Sequence, residues 1–238
     1  MEFNNHLNNN HYGGYAAPEL TMSEYIVRTF TWMFIGLLAT FGIAYSCYAS
    51  GLIYRVFAVP NLPTVLLVAE VVLVLILASR IQSLSVGAAR ALFMGYAILN
   101  GVVFTTYFLI FEMVSLILIF AVTALYFGAF ALYGHFTKQD LSGLGPILGG
   151  GLIFLIVMGL LSLFLPLGAV DRIICMIGVA IFVCFTAYDT QKIKAFYAYY
   201  SSDSEMLEKA SIFSALQLYL DFINIFLYLL RLFGKRKN

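Results

Sequence analysis

Two acidic residues inside apolar segments offer the clearest chemistry in this chain. Asp189 lies in the segment IFVCFTAYDTQKIK, and Asp221 lies in ALQLYLDFINIFLYLLRLFG. A carboxylate at membrane depth costs at least about 2.5 kcal/mol, so a chain keeps one mainly where it meets a partner, an ion or a water-filled path. Two such carboxylates can share protons or contact a passing cation, and they mark the predicted functional site.

The last apolar segment carries further polar residues at spacings of three and four, which place them along one stripe of a helix. Because lipid would penalise this stripe on every turn, we expect the helix inside a bundle, with its polar face lining a cavity or conduit. A dry seam of hydrogen bonds between helices is the alternative interpretation. The stripe consists of Ser211, Ser214, Gln217, Asp221, Asn224, Tyr228 and Arg231.

An earlier segment, VLLVAEVVLVLILASR, supplies Glu70 in its middle and Arg80 at its end. Ten residues of helix separate them by about 15 Å, so they cannot neutralise each other directly. Arg80 falls at the same membrane face as Asp189, and an ion pair between the two is one hypothesis, while an ordinary membrane anchor is the other. Two roles fit Glu70 equally well, that of an ion ligand and that of a buried acid held by hydrogen bonds.

The elements that position these residues are membrane helices. Hydrophobic residues make up 62% of the 238 residues and charged residues 11%, against about 25% charged in soluble domains. Long apolar runs favour helices over barrel strands, and a hydrocarbon core about 30 Å thick takes about 20 helical residues. We therefore predict an all-α integral membrane protein, a seven-transmembrane-helix bundle with the C-terminal helix central. The segments are Thr29–Ala49, Leu62–Ser79, Gly87–Ile110, Met113–Tyr133, Pro146–Leu165, Ile173–Tyr188 and Ala210–Leu232.

The ends of the chain are polar. Residues Met1–Pro18 are rich in Asn, Gly and Tyr and contain no apolar run, so we predict a disordered N-terminal tail over residues 1–22 and one membrane domain over residues 23–238. A cytoplasmic N-terminus places most loop Lys and Arg residues inside. The basic C-terminus would then face outward after seven crossings, against that tendency. Either the last segment spans the membrane, or it is a re-entrant segment that enters and leaves on the same side. We favour a spanning helix.

Neither a metal centre nor an enzyme is expected. His6 and His11 have no ligand-spaced partners. The cysteines show no CxxC spacing and suit the interior of a bundle; they are Cys47, Cys175 and Cys184. No nucleotide-binding loop, HExxH motif or nucleophile elbow is present, which argues against an ATP-driven pump or a hydrolase. We predict no cofactor and no nucleic-acid partner.

The segments FTAYDTQKIK (185–194) and ALQLYLDFINIFLYLLRLFG (215–234) resemble the signature of the Bax inhibitor-1 family, also called transmembrane BAX inhibitor motif proteins, whose bacterial branch is YccA-like. The resemblance covers the whole seven-segment layout. A compact chain without eukaryotic extensions indicates a bacterial member, and therefore a multi-pass protein of the inner membrane.

This resemblance implies a calcium-permeable leak gated by pH. It implies that Asp189 and Asp221 form a proton-sharing pair and that an arginine of the second helix latches the first of them, for which Arg80 is the candidate. Two carboxylates within about 3 to 4 Å cannot both ionise easily, so such a pair titrates as one unit. Helical counting, however, places Asp221 roughly 10 Å deeper than Asp189, so tilt or a shifted register must close the gap. The Ser202 and Glu205 capping-box pattern predicts a polar extension of the last helix.

The predicted calcium contact is transient. Calcium takes six to eight oxygen ligands, and the acids with Gln217 or Asn224 fall short of that number. A permeating ion must also bind weakly enough to leave, so the shortage suits passage better than storage. The expected conduit comprises Glu70, Ser214, Gln217, Asn224 and Tyr228, with passing calcium at Asp189 and Asp221.

Two other functions fit the same residues. One is a regulator that binds other membrane proteins, such as a membrane protease, for which the glycines at 145 and 149–151 offer a close-packing helix surface. The other is a proton-coupled cation exchanger that uses the acids stoichiometrically. The expected partners are therefore calcium, protons and the lipid bilayer, with other membrane proteins in the regulator hypothesis.

Overall fold

The computed structural model describes residues 20–81, 83–162, 164–165 and 168–237, without the side chains at 57, 63, 64, 67 and 78. Most of the predicted tail, including His6 and His11, lies outside these residues. The first helix begins at Met22 behind a capping box at Thr21. The Thr21 hydroxyl accepts a hydrogen bond from the backbone amide of Glu24 at 3.3 Å, and the Glu24 carboxylate accepts one from the backbone amide of Thr21 at 2.8 Å.

The described residues form an all-α bundle. Six of the helices are long and apolar enough to cross a membrane, and α3 contains the shorter apolar run Val68–Leu77. The seven predicted segments each correspond to one long helix, so the predicted fold class is confirmed. The helices are α1 (Met22–Ala49), α2 (Leu52–Ala58), α3 (Leu62–Arg80), α4 (Val86–Ile110), α5 (Met113–Phe136), α6 (Leu144–Ser162), α7 (Ala169–Tyr200) and α8 (Ser204–Phe233).

The last two helices extend past their apolar runs. α7 continues beyond Tyr188 to Tyr200, and α8 already begins at Ser204. The N-cap of α8 is Asp203, whose Oδ1 accepts the amide of Met206 at 3.0 Å, and not Ser202 as the capping-box pattern predicted. Hydropathy marks only the lipid-matched part of a helix, whereas polar turns outside the hydrocarbon extend it. As a result, Asp189 lies well inside α7 and not at its end.

The C-terminal helix is central, as predicted. α8 packs against α7, α1, α5 and α4, and large side chains on it are almost fully buried, including Tyr219, Phe222 and Phe226. Phe226 has ring contacts with Phe41 on α1 at 5.6 Å and with Phe104 on α4 at 5.7 Å. These aromatic contacts fasten α8 to its neighbours on the side away from α7.

Close backbone approach at Gly134 sets the distance between α5 and α7. A Cβ added there would overlap the backbone carbonyl of Ala187. Of the predicted close-packing glycines of α6, Gly145 meets the ring of Tyr188 and Gly151 meets Ile181, both on α7, whereas a Cβ at position 149 or 150 would meet nothing within 4 Å. Since Ala187 and Tyr188 directly precede Asp189, both contacts position the segment that carries this acid.

Candidate functional site

One cavity between α7 and α8 receives both of the predicted acids. Its volume is about 210 Å³. Asp189 is 5% exposed and Asp221 is 4% exposed. The cavity is lined by Leu152, Phe182, Phe185, Asp189, Gln217, Leu220, Asp221 and Asn224. Two buried carboxyl groups and two amide side chains therefore meet in surroundings that are otherwise apolar.

Gln217 links the two helices at this point. Its Nε2 donates a hydrogen bond to Oδ1 of Asp189 at 3.4 Å, and Asp221 follows one helical turn later. The carboxyl groups of Asp189 and Asp221 are close enough to interact electrostatically. The sequence predicted that Asp221 lies roughly 10 Å deeper in the membrane than Asp189. In the structure this difference in depth is smaller, because α7 and α8 extend into polar turns. Gln217 is level with Asp189, and Asp221 is only one turn deeper.

The polar atoms of the cavity are incompletely satisfied. Oδ2 of Asp221 is buried and has no hydrogen-bond partner among the described residues. Ser214 and Thr190 are also buried, but neither of them lines this cavity. Asn224 donates to the carbonyl oxygen of Leu220 in its own helix at 2.7 Å. A buried polar atom without a partner is costly, so Oδ2 of Asp221 suits a site that water, a proton or a cation enters.

The predicted polar stripe contacts other helices at both of its ends. At one end the hydroxyl groups of Ser211 and Thr29 lie 3.0 Å apart. At the other end Arg231 forms an ion pair with Asp171 at the start of α7. Tyr228 stacks on the ring of Phe182, with ring centroids 6.0 Å apart, next to Gly178. The stripe thus combines interhelical contacts at its ends with a cavity in its middle.

Arg80 lies apart from the two acids in this structure. It is exposed at the end of α3 and makes no ion pair with any described residue. The next residue, Ile81, lines a cavity of about 220 Å³ with Phe196 and Phe213. Phe196 is seven residues beyond Asp189, or about 10 Å of helix. A contact between Arg80 and Asp189 therefore requires a different arrangement of α3.

Lys192 is the cation within electrostatic reach of both acids, and the sequence interpretation missed it. Its ammonium group lies among aromatic rings, 5.3 Å from the centroid of Phe196 and 5.9 Å from that of Phe213. The available signal was its spacing of three residues from Asp189, which puts both side chains on one helix face. The predicted segment ends at Tyr188 and leaves Lys192 in the following loop, whereas α7 continues to Tyr200.

Glu70 belongs to a second polar cluster, among α1, α3, α4 and α8. Its buried Oε1 has no hydrogen-bond partner among the described residues, and it interacts electrostatically with Tyr96 and Tyr219. The hydroxyl groups of Tyr219 and Thr40 lie 2.6 Å apart, and Thr40 also donates to the carbonyl oxygen of Ala97 at 2.8 Å. The structure thus does not place Glu70 on the cavity that holds Asp189 and Asp221.

Within the part of the chain that the structure describes, no three His, Cys, Asp or Glu side chains cluster as a metal site would require. The two carboxyl groups and the nearby amides can share protons and contact a cation in passing. They do not form a full coordination shell, since calcium takes six to eight oxygen ligands.

Comparison with known proteins identifies the relatives of this bundle. The family model described as inhibitor of apoptosis-promoting Bax1 matches residues 22–238, which include all eight of the described helices and both motifs. The chain belongs to the Bax inhibitor-1 family. The resemblance seen in the two motifs around Asp189 and Asp221 is thereby confirmed.

Bacterial relatives align over nearly their full length. Inner membrane protein YbhL of Escherichia coli is 39% identical over 224 residues, which cover 93% of this chain and 96% of that protein. An uncharacterized protein of Deinococcus radiodurans is 40% identical over 213 residues, or 89% and 90% of the two chains. A Rickettsia prowazekii protein is 33% identical over 217 residues, or 91% and 92%. This family member is thus a multi-pass membrane protein of the size of its bacterial relatives.

Proposed function

We propose that this protein is a pH-sensitive, calcium-permeable leak of a bacterial inner membrane, gated by proton sharing between Asp189 and Asp221. The observation that carries the proposal is the one cavity that both buried carboxyl groups line, with Gln217 and Asn224 beside them. The proposed inner-membrane location follows the name of the Escherichia coli relative. The N-terminus is proposed to be cytoplasmic, on the distribution of loop Lys and Arg residues.

The cavity supports passage of a cation better than storage. Asp189, Asp221 and the side-chain amides can supply some of the oxygen ligands of calcium, and water would supply the rest. An incomplete shell binds the ion weakly enough for it to leave, which conduction requires. In the proposed resting state, the Arg231–Asp171 ion pair and the Tyr228 ring close the far end of the path.

Proton sharing gives the cavity a switch. When both carboxyl groups ionise, like charges repel across a site from which most water is excluded, so their interaction is stronger than at a protein surface. That repulsion acts between α7 and α8, because each helix carries one of the acids. Lys192 offsets part of this repulsion, since its positive charge interacts with both carboxyl groups.

Calcium flux in liposomes that contain the purified protein tests the proposal directly. A leak follows the calcium gradient with or without a pH gradient, and its rate changes with pH. Calcium movement driven by a proton gradient alone would instead establish an exchanger. No flux above protein-free liposomes at any pH, from protein that has inserted, would contradict the leak and leave the regulator hypothesis.

Asp189→Asn is expected to abolish most of the pH response and to raise flux at neutral pH. The remaining carboxyl group of Asp221 would have no neighbouring carboxyl with which to share a proton, and any latch on Asp189 would be released. The measurement is calcium flux across a pH series. Asp140→Asn is the matched control, because the amide of Ser142 lowers the pKa of Asp140 and that exposed acid stays ionised throughout. A parental pH response in Asp189→Asn would contradict the pair.

Arg80→Ala is expected to raise the neutral-pH leak several-fold, if α3 moves Arg80 onto Asp189 in the closed state. Arg80→Lys should restore only part of the closure, because lysine keeps the charge but loses the bidentate fork of arginine. Lys192→Gln, measured in parallel, shows how much the cation that already lies near the acids contributes to closure at neutral pH. If Arg80→Ala inserts normally and leaks at the parental rate, Arg80 is a membrane anchor and has no latch role.

A further inference from the structure

A groove on the lipid-facing side of the bundle runs between α1, α4 and α5. Its volume is about 290 Å³, and its lining is apolar or aromatic throughout, including Phe34, Leu38, Tyr45, Phe108, Ile117 and Phe120. Outward-facing side chains along it are well exposed, with Leu38 at 58% and Ile117 at 62%. It is separate from the cavity that holds Asp189 and Asp221.

The groove extends along about half of the length of α1. Phe34 lies at the middle of α1, and Tyr45 lies near its end at Ala49. Their separation of eleven positions corresponds to about 16 Å of helix, roughly half of a hydrocarbon core about 30 Å thick. On α5 the lining begins at Met113, the first residue of that helix. The groove therefore extends from the middle of α1 to the end of the bundle where the C-terminus lies.

A cation is fixed where the groove reaches that face. The ammonium group of Lys237 donates to the hydroxyl of Tyr48 at 3.0 Å and to the carbonyl oxygen of Phe108 at 2.8 Å. It also lies 4.8 Å from the centre of the Tyr48 ring. Phe108 itself lines the groove. Two of the three donors of the ammonium group are thus used, and one is left for an anion.

Backbone hydrogen bonds hold this basic segment in place. The amide of Lys237 donates to the carbonyl oxygen of Ile110, and the amide of Glu112 donates to that of Lys235, both at 2.9 Å. Lys235 is also paired with Glu112 at 2.9 Å. By contrast, Arg236 and Lys237 form no ion pair within the described ranges, and both are exposed. These two neighbouring positive charges, of which Lys237 lies at the mouth of the groove, therefore have no acidic partner among the described residues.

We propose that this groove binds one acyl chain of an anionic phospholipid whose phosphate is held by Lys237 and Arg236. Charge complementarity favours this occupant, because an anionic headgroup supplies the counter-charge that the described residues do not. A second copy of the chain docked symmetrically on the groove would bring its own basic pair toward this one, and like charges across an interface oppose association.

Photo-crosslinking and native mass spectrometry of the full-length protein test the proposal. The probes are phosphatidylglycerol and phosphatidylethanolamine, each with a photoreactive group on one acyl chain, in bilayers that contain both lipids. We expect labelled peptides from α1 and α5 at the groove, with phosphatidylglycerol retained in preference to phosphatidylethanolamine. The double variant Arg236→Gln/Lys237→Gln should reduce that preference by about fivefold for each charge removed, whereas the control Lys138→Gln should not.

A groove-filling variant separates the chain site from the headgroup site. Ile117→Trp should reduce labelling of the groove by both lipids, whereas Ile153→Trp, at a similarly exposed position on α6, should not. Thermal unfolding of each variant checks that the bundle is intact. Labelling spread evenly over the lipid-facing helices, equal retention of both lipids by the parent, or crosslinks between two protein copies at the groove would each overturn the proposal.

Discussion

Replacing Asp221 with Asn is expected to lower calcium flux about tenfold or more and to remove most of its pH dependence. An interaction with a charged group is worth about 1.5 to 3 kcal/mol, and about 1.4 kcal/mol corresponds to a factor of ten. Asp221 is 4% exposed and lines the cavity with a buried oxygen that no described residue satisfies. Asparagine keeps the shape of the side chain and removes the charge that a passing cation would contact.

Comparison of Asp221→Asn with Asp189→Asn shows whether the lower calcium flux is specific to Asp221. Both variants lose the proton-sharing pair and should lose the pH response. Only Asp221→Asn should lower flux at neutral pH, because Asp221 has the unsatisfied oxygen whereas Asp189 accepts a hydrogen bond from Gln217. Leu220→Ala removes an uncharged side chain that lines the same cavity and controls for altered packing. Parental flux in Asp221→Asn at every pH would rule out a role for this carboxylate in conduction.

Gly134→Ala is expected to lower the free energy of unfolding by about 1 to 3 kcal/mol, the usual cost of overpacking a well-packed interior. The added methyl group would overlap backbone atoms of Ala187, which cannot move aside as the end of a side chain can. α7 would have to shift away from α5, and Asp189 lies two residues after the contact. We therefore expect a changed pH response of calcium flux in addition to a lower unfolding temperature.

Gly128→Ala is the matched control for this substitution. Gly128 lies on the same helix, and a Cβ there would meet nothing within 4 Å. Since alanine favours a helix over glycine by about 1 kcal/mol, Gly128→Ala should be neutral or slightly stabilising. Thermal unfolding of both variants in the same detergent is the measurement. Equal unfolding temperatures for the two variants would show that α5 and α7 have room at Gly134.

Much of the architecture could be read from local pattern. The length of an apolar run is set by bilayer thickness, so the seven long helices and their order followed from composition along the chain. The stripe on the last helix followed from spacing alone, because residues three and four apart share a helix face. Asp189 and Asp221 stood out because a carboxylate in an apolar segment is costly.

The tertiary structure decided which of these polar residues lie together. Glu70 and Asp221 look alike in sequence, since each is an acid within an apolar helix, yet Asp221 shares a cavity with Asp189 while Glu70 lies near Tyr96 and Tyr219. The sequence also could not reveal that Arg231 pairs with Asp171. Hydropathy constrains how deep each residue lies in the membrane, but which helices are neighbours, and how they are rotated, depends on packing between segments far apart in the chain.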